Sequence, residues 1–235
     1  MTELVVIIPV YNESEIIKEV LEDWVQTLNT LQIKYKIKLY NDGSIDSTQF
    51  ILNNLQLEYQ DTVDVIHKEN SGHGPTILLG YISNIETQWI FQVDADNEIP
   101  AKYFPNFWNI KNEYDIVIAN RGKRGNGFIR RLMSFMSYLI VRIIYGKGIK
   151  DVNAPYRLIR THPFKKIIKD IPENTFAPNI IISGMANKKK LRIKIFDLAS
   201  AERKTGSPSL GNKLFKLLRI SFRSFKEIVI YGLSK

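Results

Sequence analysis

Several features are absent from this 235-residue sequence, and each absence excludes a class of protein. There is no cysteine, which rules out a fold held together by disulfide bonds. No uninterrupted apolar run approaches the roughly 18–20 residues that a membrane-spanning helix needs. The longest contender, residues 132–145, is too short and contains Arg142. The first predicted strand begins almost at Met1, so we expect no signal peptide.

Histidine is scarce, and the distribution of the three residues does not predict a histidine metal site. His67 and His162 have no partners at ligand spacing, and His73 lies between two glycines that suffice to explain a tight turn. A net charge of +9 is present without a recognisable nucleic-acid-binding module. We therefore expect no nucleic acid partner.

The residues that are present predict an α/β protein with a mostly parallel sheet flanked by helices. Apolar runs that suit buried strands alternate with segments of helical spacing, as in βαβ units. The predicted strands are residues 4–9, 37–40, 63–66, 89–91 and 115–121, and the helices between the first four begin near residues 14, 46 and 73. In such sheets ligands bind beyond the carboxyl ends of the strands, where the polar motifs of this chain fall.

The most informative of these motifs is Val93-Asp94-Ala95-Asp96-Asn97-Glu98, which follows a buried strand. Clustered carboxylates repel one another unless a cation lies among them. Hard cations prefer oxygen ligands and commonly share them with phosphates, so the segment predicts Mg²⁺ or Mn²⁺ holding a substrate diphosphate. The alternative is an acidic turn, where Asp and Asn are common for conformational reasons alone.

Four motifs in order give the chain its resemblance to a known family. They are Pro9-Val10-Tyr11-Asn12-Glu13, Asn41-Asp42-Gly43-Ser44, Gly72-His73-Gly74 and Asp94-Ala95-Asp96. This set resembles the family 2 glycosyltransferases, which have the GT-A fold, a Rossmann-like α/β architecture. The resemblance implies transfer of a sugar from a nucleotide-sugar donor.

The resemblance also implies roles for individual residues. The segment from Pro9 through Tyr11 to Glu13, together with Asp42, holds the nucleoside, and the metal on the diphosphate is bound by the Asp-x-Asp pair. Many members have Asp where this chain has Asn41, so base contact is assigned to Asp42. The predicted nucleotide-binding residues are Pro9, Tyr11, Glu13, Asp42, Gly74, Asp94 and Ala95.

The second half of the chain resembles the dolichol-phosphate mannosyltransferase and bacterial polyprenyl-phosphate glycosyltransferase branch. There the third metal ligand matches Glu98, where many members have Gln, which gives the metal set Asp94, Asp96 and Glu98. Basic residues matching Arg121, Arg130 or Arg131, and Arg203 contact the donor diphosphate or the acceptor phosphate. The segment from Arg203 to Ser207 matches the branch motif Arg-x-x-Gly-Ser.

The chemistry of the acceptor stays open between two alternatives. A polyprenyl phosphate is already anionic and needs no general base, whereas the hydroxyl of a surface glycan needs a carboxylate within hydrogen-bond reach. Asp151 is the candidate base, although a turn residue is an equally good interpretation of it. In either case direct displacement predicts inversion at the anomeric carbon, as is general in this family. Relatives acting on polyprenyl phosphates often carry transmembrane helices, and their absence here favours the hydroxyl alternative.

The C-terminal residues favour the lipid alternative. Residues 213–235 have apolar positions at helical spacing with basic residues between them, which predicts an amphipathic helix beyond a catalytic domain of residues 1–212. Such a helix fits a membrane surface, a membrane protein partner or the domain itself. We expect an enzyme in the cytoplasm, peripheral on the inner face of the membrane.

Two other kinds of protein share these motifs. One is an inactive binding protein that kept the fold, against which the intact carboxylates and Arg203 argue. The other is a subunit that works only with a membrane partner.

Residues 205–212, rich in Gly, Ser and Pro, are predicted to form a lid that orders over the donor.

Overall fold

The computed structural model describes residues 2–120, 142–146, 153–198 and 226–233. These residues form a seven-stranded sheet with helices on both faces. The strands are β1 (Leu4–Val10), β2 (Tyr35–Asp42), β3 (Val63–Lys68), β4 (Trp89–Gln92), β5 (Ile116–Asn120), β6 (Arg157–Arg160) and β7 (Ile193–Asp197). The helices are α1 (Ile17–Asn29), α2 (Thr48–Glu58), α3 (His73–Ser83), a 3₁₀ turn (Ala101–Tyr103), α4 (Phe104–Asn109), α5 (Thr161–Lys169) and α6 (Pro178–Lys188).

The order of the strands in the sheet is β3-β2-β1-β4-β6-β5-β7. All neighbours pair in parallel except β6, which runs antiparallel to both β4 and β5. The predicted mostly parallel α/β fold is therefore confirmed, and the first five strands lie within two residues of their predicted bounds. Strands β6 and β7 were not predicted, because four or five residues of mixed polarity give no clear period.

Two hydrophobic layers cover the sheet and hold its helices. On one face Trp24 of α1 packs its ring against Phe91 of β4 and Phe104 of α4, at centroid distances of 5.1 and 5.5 Å. Tyr156, directly before β6, completes this aromatic cluster at 4.6 Å from Phe91. Helices α3, α5 and α6 cover the other face. Rings at these distances form favourable aromatic pairs that add to the stability of this layer.

Residues 226–233 are helical and pack on the domain. The Tyr231 hydroxyl donates to the carbonyl of Ile167 at 3.0 Å, and the carboxylate of Glu227 accepts from the backbone N–H of Phe176 at 2.7 Å. Ile228 is buried, whereas Ile230 and Leu233 are exposed. None of the helices within the described ranges has the length and apolar character that crossing a bilayer requires.

Candidate active site

The carboxyl ends of the parallel strands gather the predicted motifs at one edge of the sheet. Val10 lies beside Asn41 in the register of β1 and β2, and Asp42 lies beside Lys68 in that of β2 and β3. Because β6 is antiparallel, its first residue, Arg157, lies at the same edge and opposite Gln92 of β4. Sequence positions far apart are thus brought to one edge by the sheet alone.

The loop after β1 is fastened to the loop after β2. Asn12 adopts a positive φ of 54°, which Asn tolerates better than most residues. Its backbone N–H donates to Ser44 Oγ at 3.0 Å, and its Oδ1 accepts from the N–H of Ile45 at 2.9 Å. The N–H of Glu13 donates to Thr48 Oγ1 at 3.0 Å. This arrangement leaves the neighbouring Tyr11 40% exposed at the edge of the site.

Asp42 is almost fully buried and is held by donors from the loop after β3. Its carboxylate is paired with the Lys68 ammonium and accepts from the backbone N–H groups of Ser71 and Gly72, both at 2.9 Å. Lys68 also donates to Ser71 Oγ at 2.7 Å and to Thr76 Oγ1 at 3.3 Å. Asp42 therefore fastens β2 to the start of α3, and its predicted contact with the base remains a prediction.

Asn41, the neighbour of Asp42 at the end of β2, has partners of its own. Its Oδ1 accepts from the N–H of Ser44 at 3.1 Å, so its Nδ2 faces His67 Nδ1 at 3.0 Å. The opposite ring nitrogen of His67 then donates to Asn53 Oδ1 at 2.8 Å. Asn41 therefore links the loop after β2 to His67 and, through it, to Asn53 of α2.

Gly74, predicted to bind nucleotide, lies in the first turn of α3 against residues 175–176. A Cβ at this position would fall 2.1 Å from the carbonyl oxygen of Phe176 and 2.6 Å from that of Thr175. Only glycine, which has no Cβ, allows the two backbones to approach so closely at position 74. Pro9 is likewise buried, within β1.

Substituting Gly74 with alanine should lower the free energy of unfolding by about 3 kcal/mol, since the methyl group overlaps backbone that can move only as a segment. Chemical denaturation measures the change. Leu79→Ala, on the exposed side of the same helix, is the control and should cost about 1 kcal/mol or less. An unchanged denaturation midpoint for the Gly74 variant would show that residues 175–176 do not hold this close packing.

The three predicted metal ligands line one small cleft, with a cavity volume of about 10 Å³. Asp94, Asp96 and Glu98 line it together with Pro155 and Tyr156. Asp96 Oδ1 accepts from the backbone N–H of Glu98 at 3.2 Å, and Asn97 between them has a positive φ of 51°. Ala95 is buried, whereas Asp94 and Asp96 on either side of it are partly exposed.

The described contacts of Asp94 are both made through one oxygen. Its Oδ1 accepts from Gln92 Nε2 at 3.1 Å, and His73 Nε2 lies 3.4 Å from the same atom. His73, for which the sequence favoured a structural or peripheral role, is half-exposed beside the first carboxylate of the motif.

These residues fit a divalent ion that is completed by substrate. Within the described ranges no three His, Asp or Glu side chains form a ready-made metal site. Mg²⁺ and Mn²⁺ bound to phosphates commonly take one or two protein carboxylates, with the substrate supplying other ligands. Asp94 and Asp96 line one cleft, as such a site would need, and metal binding by Asp94, Asp96 and Glu98 stays a prediction.

Four predicted catalytic residues fall outside the described ranges. They are Arg121, Arg131, Asp151 and Arg203, along with the alternative Arg130 and the predicted lid of residues 205–212. The strand before Arg121 in sequence, β5, ends at Asn120, at the edge of the sheet where the other motifs gather.

Sequence reasoning missed several side chains that hold the site together. Lys68 ends β3 as the other motif residues end their strands, so its position was a usable signal. Gln92, Asn179 and Arg157 are buried polar residues whose importance depends on partners distant in sequence. A separate polar pocket, lined by residues that include Glu3, Glu86 and Lys165, lies at the opposite edge of the sheet.

Comparison with known proteins gives one family. The model of glycosyl transferase family 2 matches residues 5–168. Undecaprenyl-phosphate 4-deoxy-4-formamido-L-arabinose transferases of Proteus mirabilis and Edwardsiella ictaluri are each 26% identical, over 219 and 230 residues. These alignments cover 92% and 97% of this chain, which spans 65% and 70% of the two relatives.

Solved structures agree on the fold. Glucosyl-3-phosphoglycerate synthase from Mycobacterium tuberculosis, in complex with Mn²⁺, UDP-glucose and phosphoglyceric acid, superposes with a TM-score of 0.68 at 14% identity, covering 98% of this chain and 80% of that one. S. aureus TarS 1-349 in complex with UDP-GlcNAc gives 0.57 at 18% identity, covering 99% and 72%. At such identities the likeness concerns the fold alone.

Proposed function

The chain belongs to glycosyl transferase family 2 and has a GT-A fold, and we propose that it transfers a sugar from a UDP-sugar to a polyprenyl phosphate. The observation that carries the proposal is the cleft at the carboxyl edge of the sheet, lined by Asp94, Asp96 and Glu98. The relatives that match most of the chain are named for undecaprenyl phosphate, and two of the structural neighbours hold UDP-sugars.

In the proposed reaction the chain holds the donor and aims the acceptor. Tyr11 and Asp42 contact the nucleoside at the ends of β1 and β2. Asp94 and Asp96 would hold the divalent ion, Mg²⁺ or Mn²⁺, which would stabilise charge on the leaving diphosphate. Arg121, Arg131 and Arg203 bind phosphate oxygens, for which the planar guanidinium is well suited.

The phosphate of the acceptor attacks the anomeric carbon from the side opposite the diphosphate, so the configuration inverts. An anionic phosphate needs no base, and Asp151 then has no proton to remove. The second acceptor, a glycan hydroxyl, would need Asp151 as its base. Asp151→Asn distinguishes the two, because it should abolish transfer to a hydroxyl and leave transfer to the phosphate largely intact.

We further propose that the enzyme works at the cytoplasmic surface of the membrane, where a polyprenyl phosphate resides. Exposed Ile230 and Leu233 lie at the end of the chain, and Ile143 is exposed in the helical residues 142–145. A net charge of +9 adds attraction to anionic lipids. Sedimentation with anionic vesicles tests the proposed membrane binding. Recovery of all the protein in the supernatant would contradict it.

The donor is tested by thermal unfolding with UDP, GDP and their sugar conjugates, each with and without Mn²⁺. A ligand that binds only the folded state adds about 2.7 kcal/mol of stability at a hundred times its Kd. We expect a rise in Tm with UDP or a UDP-sugar that depends on Mn²⁺. A larger rise with GDP would replace the proposed donor, and no rise with any nucleotide would favour an inactive binding protein or a subunit whose site needs a partner.

A further inference from the structure

Behind the acidic cleft a line of buried hydrogen bonds runs from helix α3 to the first carboxylate of the motif. The Tyr81 hydroxyl lies 3.3 Å from Asn179 Oδ1, and Asn179 Nδ2 lies 2.9 Å from Gln92 Oε1. Gln92 Nε2 in turn lies 3.1 Å from Asp94 Oδ1. Tyr81 and Gln92 are fully buried and Asn179 is 3% exposed, so water does not compete for these bonds.

The direction of every bond follows from the carboxylate at its end. An ionised carboxylate only accepts, so Gln92 must present its amide nitrogen to Asp94. Its oxygen then faces Asn179, which must present its own nitrogen, and Asn179 Oδ1 is left to accept from Tyr81. Burial raises the pKa of Tyr81, which keeps the hydroxyl protonated as the required donor.

The middle of the line is itself fixed by a buried arginine. Arg157 Nη1 donates to the backbone oxygen of Asn179 at 3.1 Å and to Ser183 Oγ at 3.0 Å. Arg157 is also the register partner of Gln92 in the pairing of β6 with β4. The backbone of Arg157 therefore lies beside Gln92, and its side chain binds Asn179. A movement of α6 relative to the sheet would therefore break the bond of Arg157 to the backbone of Asn179 and the bond of Gln92 to its side chain.

We propose that Tyr81, Asn179 and Gln92 are positioning residues that fix the Asp94 carboxylate for the divalent ion. This inference rests on the proposed function, because it assumes that Asp94 binds the metal. By donating to Oδ1, the amide of Gln92 would restrict the rotation of the Asp94 carboxylate and so favour one orientation of Oδ2 for the ion. Groups of this kind behind metal ligands typically change metal affinity by about 10- to 100-fold when they are removed.

The test measures Mn²⁺ binding by the whole chain in the presence of UDP, from the concentration of Mn²⁺ that gives half of the full rise in Tm. Tyr81→Phe removes only the terminal donor and should raise that concentration about tenfold. Asn179→Asp keeps the shape but replaces a donor with an acceptor. Gln92 must then turn its nitrogen away from Asp94, and we expect about a hundredfold rise.

Tyr40→Phe is the matched control. Tyr40 is also buried, and its hydroxyl accepts from the side chain of Asn84 at 2.9 Å, but no described bond connects this pair to Asp94. Its Mn²⁺ concentration should equal that of the unmodified protein, whatever the change in its own stability. Stabilisation by UDP without metal should also be the same in all variants, which separates positioning from general damage to the fold.

Two failures are distinguishable. If the unmodified protein shows no Mn²⁺-dependent rise with UDP, the proposed function fails and the positioning role fails with it. If that rise is present and Tyr81→Phe gives the same Mn²⁺ concentration as the unmodified protein, only the positioning role is overturned. Should Asn179→Asp not fold, Tyr81→Phe alone decides.

Discussion

Substitution of Asp96 with alanine is expected to reduce sugar transfer by about a thousandfold, equivalent to about 4 kcal/mol of transition-state stabilisation. Asp96 lies on the same cleft as Asp94, and the proposed ion needs both carboxylates to remain on the leaving diphosphate. The measurement is the initial rate with UDP-sugar and polyprenyl phosphate at saturating Mn²⁺. The same variant should lose the Mn²⁺-dependent part of the rise in Tm with UDP.

The stability of the folded chain should change little, because Asp96 is at the surface of a cleft and not in the core. Asp61→Ala provides the control, since Asp61 is an exposed carboxylate in the turn before β3, and its activity should be unaltered. Full Mn²⁺-dependent activity in the Asp96 variant would remove this cleft as the metal site and leave the predicted function without its central observation.

The second large effect is expected at Asp42. Replacing it with asparagine leaves the Lys68 ammonium, whose side chain is 17% exposed, without its anionic partner. Breaking a buried ion pair from one side costs several kcal/mol, and we expect the free energy of unfolding to fall by about 3 kcal/mol. The start of α3 should loosen with it, because Ser71 and Gly72 lose their charged acceptor.

A double substitution separates the charge from the shape. Adding Lys68→Met to Asp42→Asn removes the unpaired ammonium, so the double variant should regain a measurable part of the lost stability in urea denaturation. Neither variant should show the rise in Tm with UDP if Asp42 contacts the base as predicted. Equal losses in the single and double variants would contradict the ion-pair explanation, and retained UDP binding would assign the base contact elsewhere.

The extent to which the site could be read from the sequence depends on where the partners of each residue lie. Polar residues at the ends of apolar strands predicted the carboxylate cleft and the two loops beside it, because the geometry of parallel strands places such residues together. Lys68 follows the same rule and could have been found. The nucleotide contact predicted for Gly74 stays a prediction, and the close backbone of residues 175–176 is a separate reason for glycine at this position.

Other features depend on contacts that no local pattern encodes. Asn179 meets Gln92 across 87 positions of sequence, and either residue alone looks like an ordinary polar side chain in an apolar stretch. The reversed direction of β6 was equally hidden, since Arg157-Leu158-Ile159-Arg160 has no feature that separates antiparallel from parallel pairing. Because the direction of β6 places Arg157 beside Gln92 and Asn179, the line of hydrogen bonds from Tyr81 to Asp94 could not be predicted from the sequence.

The insertion of β6 between β4 and β5 has a consequence during synthesis on the ribosome. Strand β4, which contains the apolar residues Trp89, Ile90 and Phe91, pairs with β1 on one side. Its other side stays unpaired until residues 157–160 have been synthesised. At about 5–20 residues per second, that side stays unpaired for several seconds of translation. An open apolar strand is a template for pairing with other chains, so the nascent protein is most prone to aggregate in this interval.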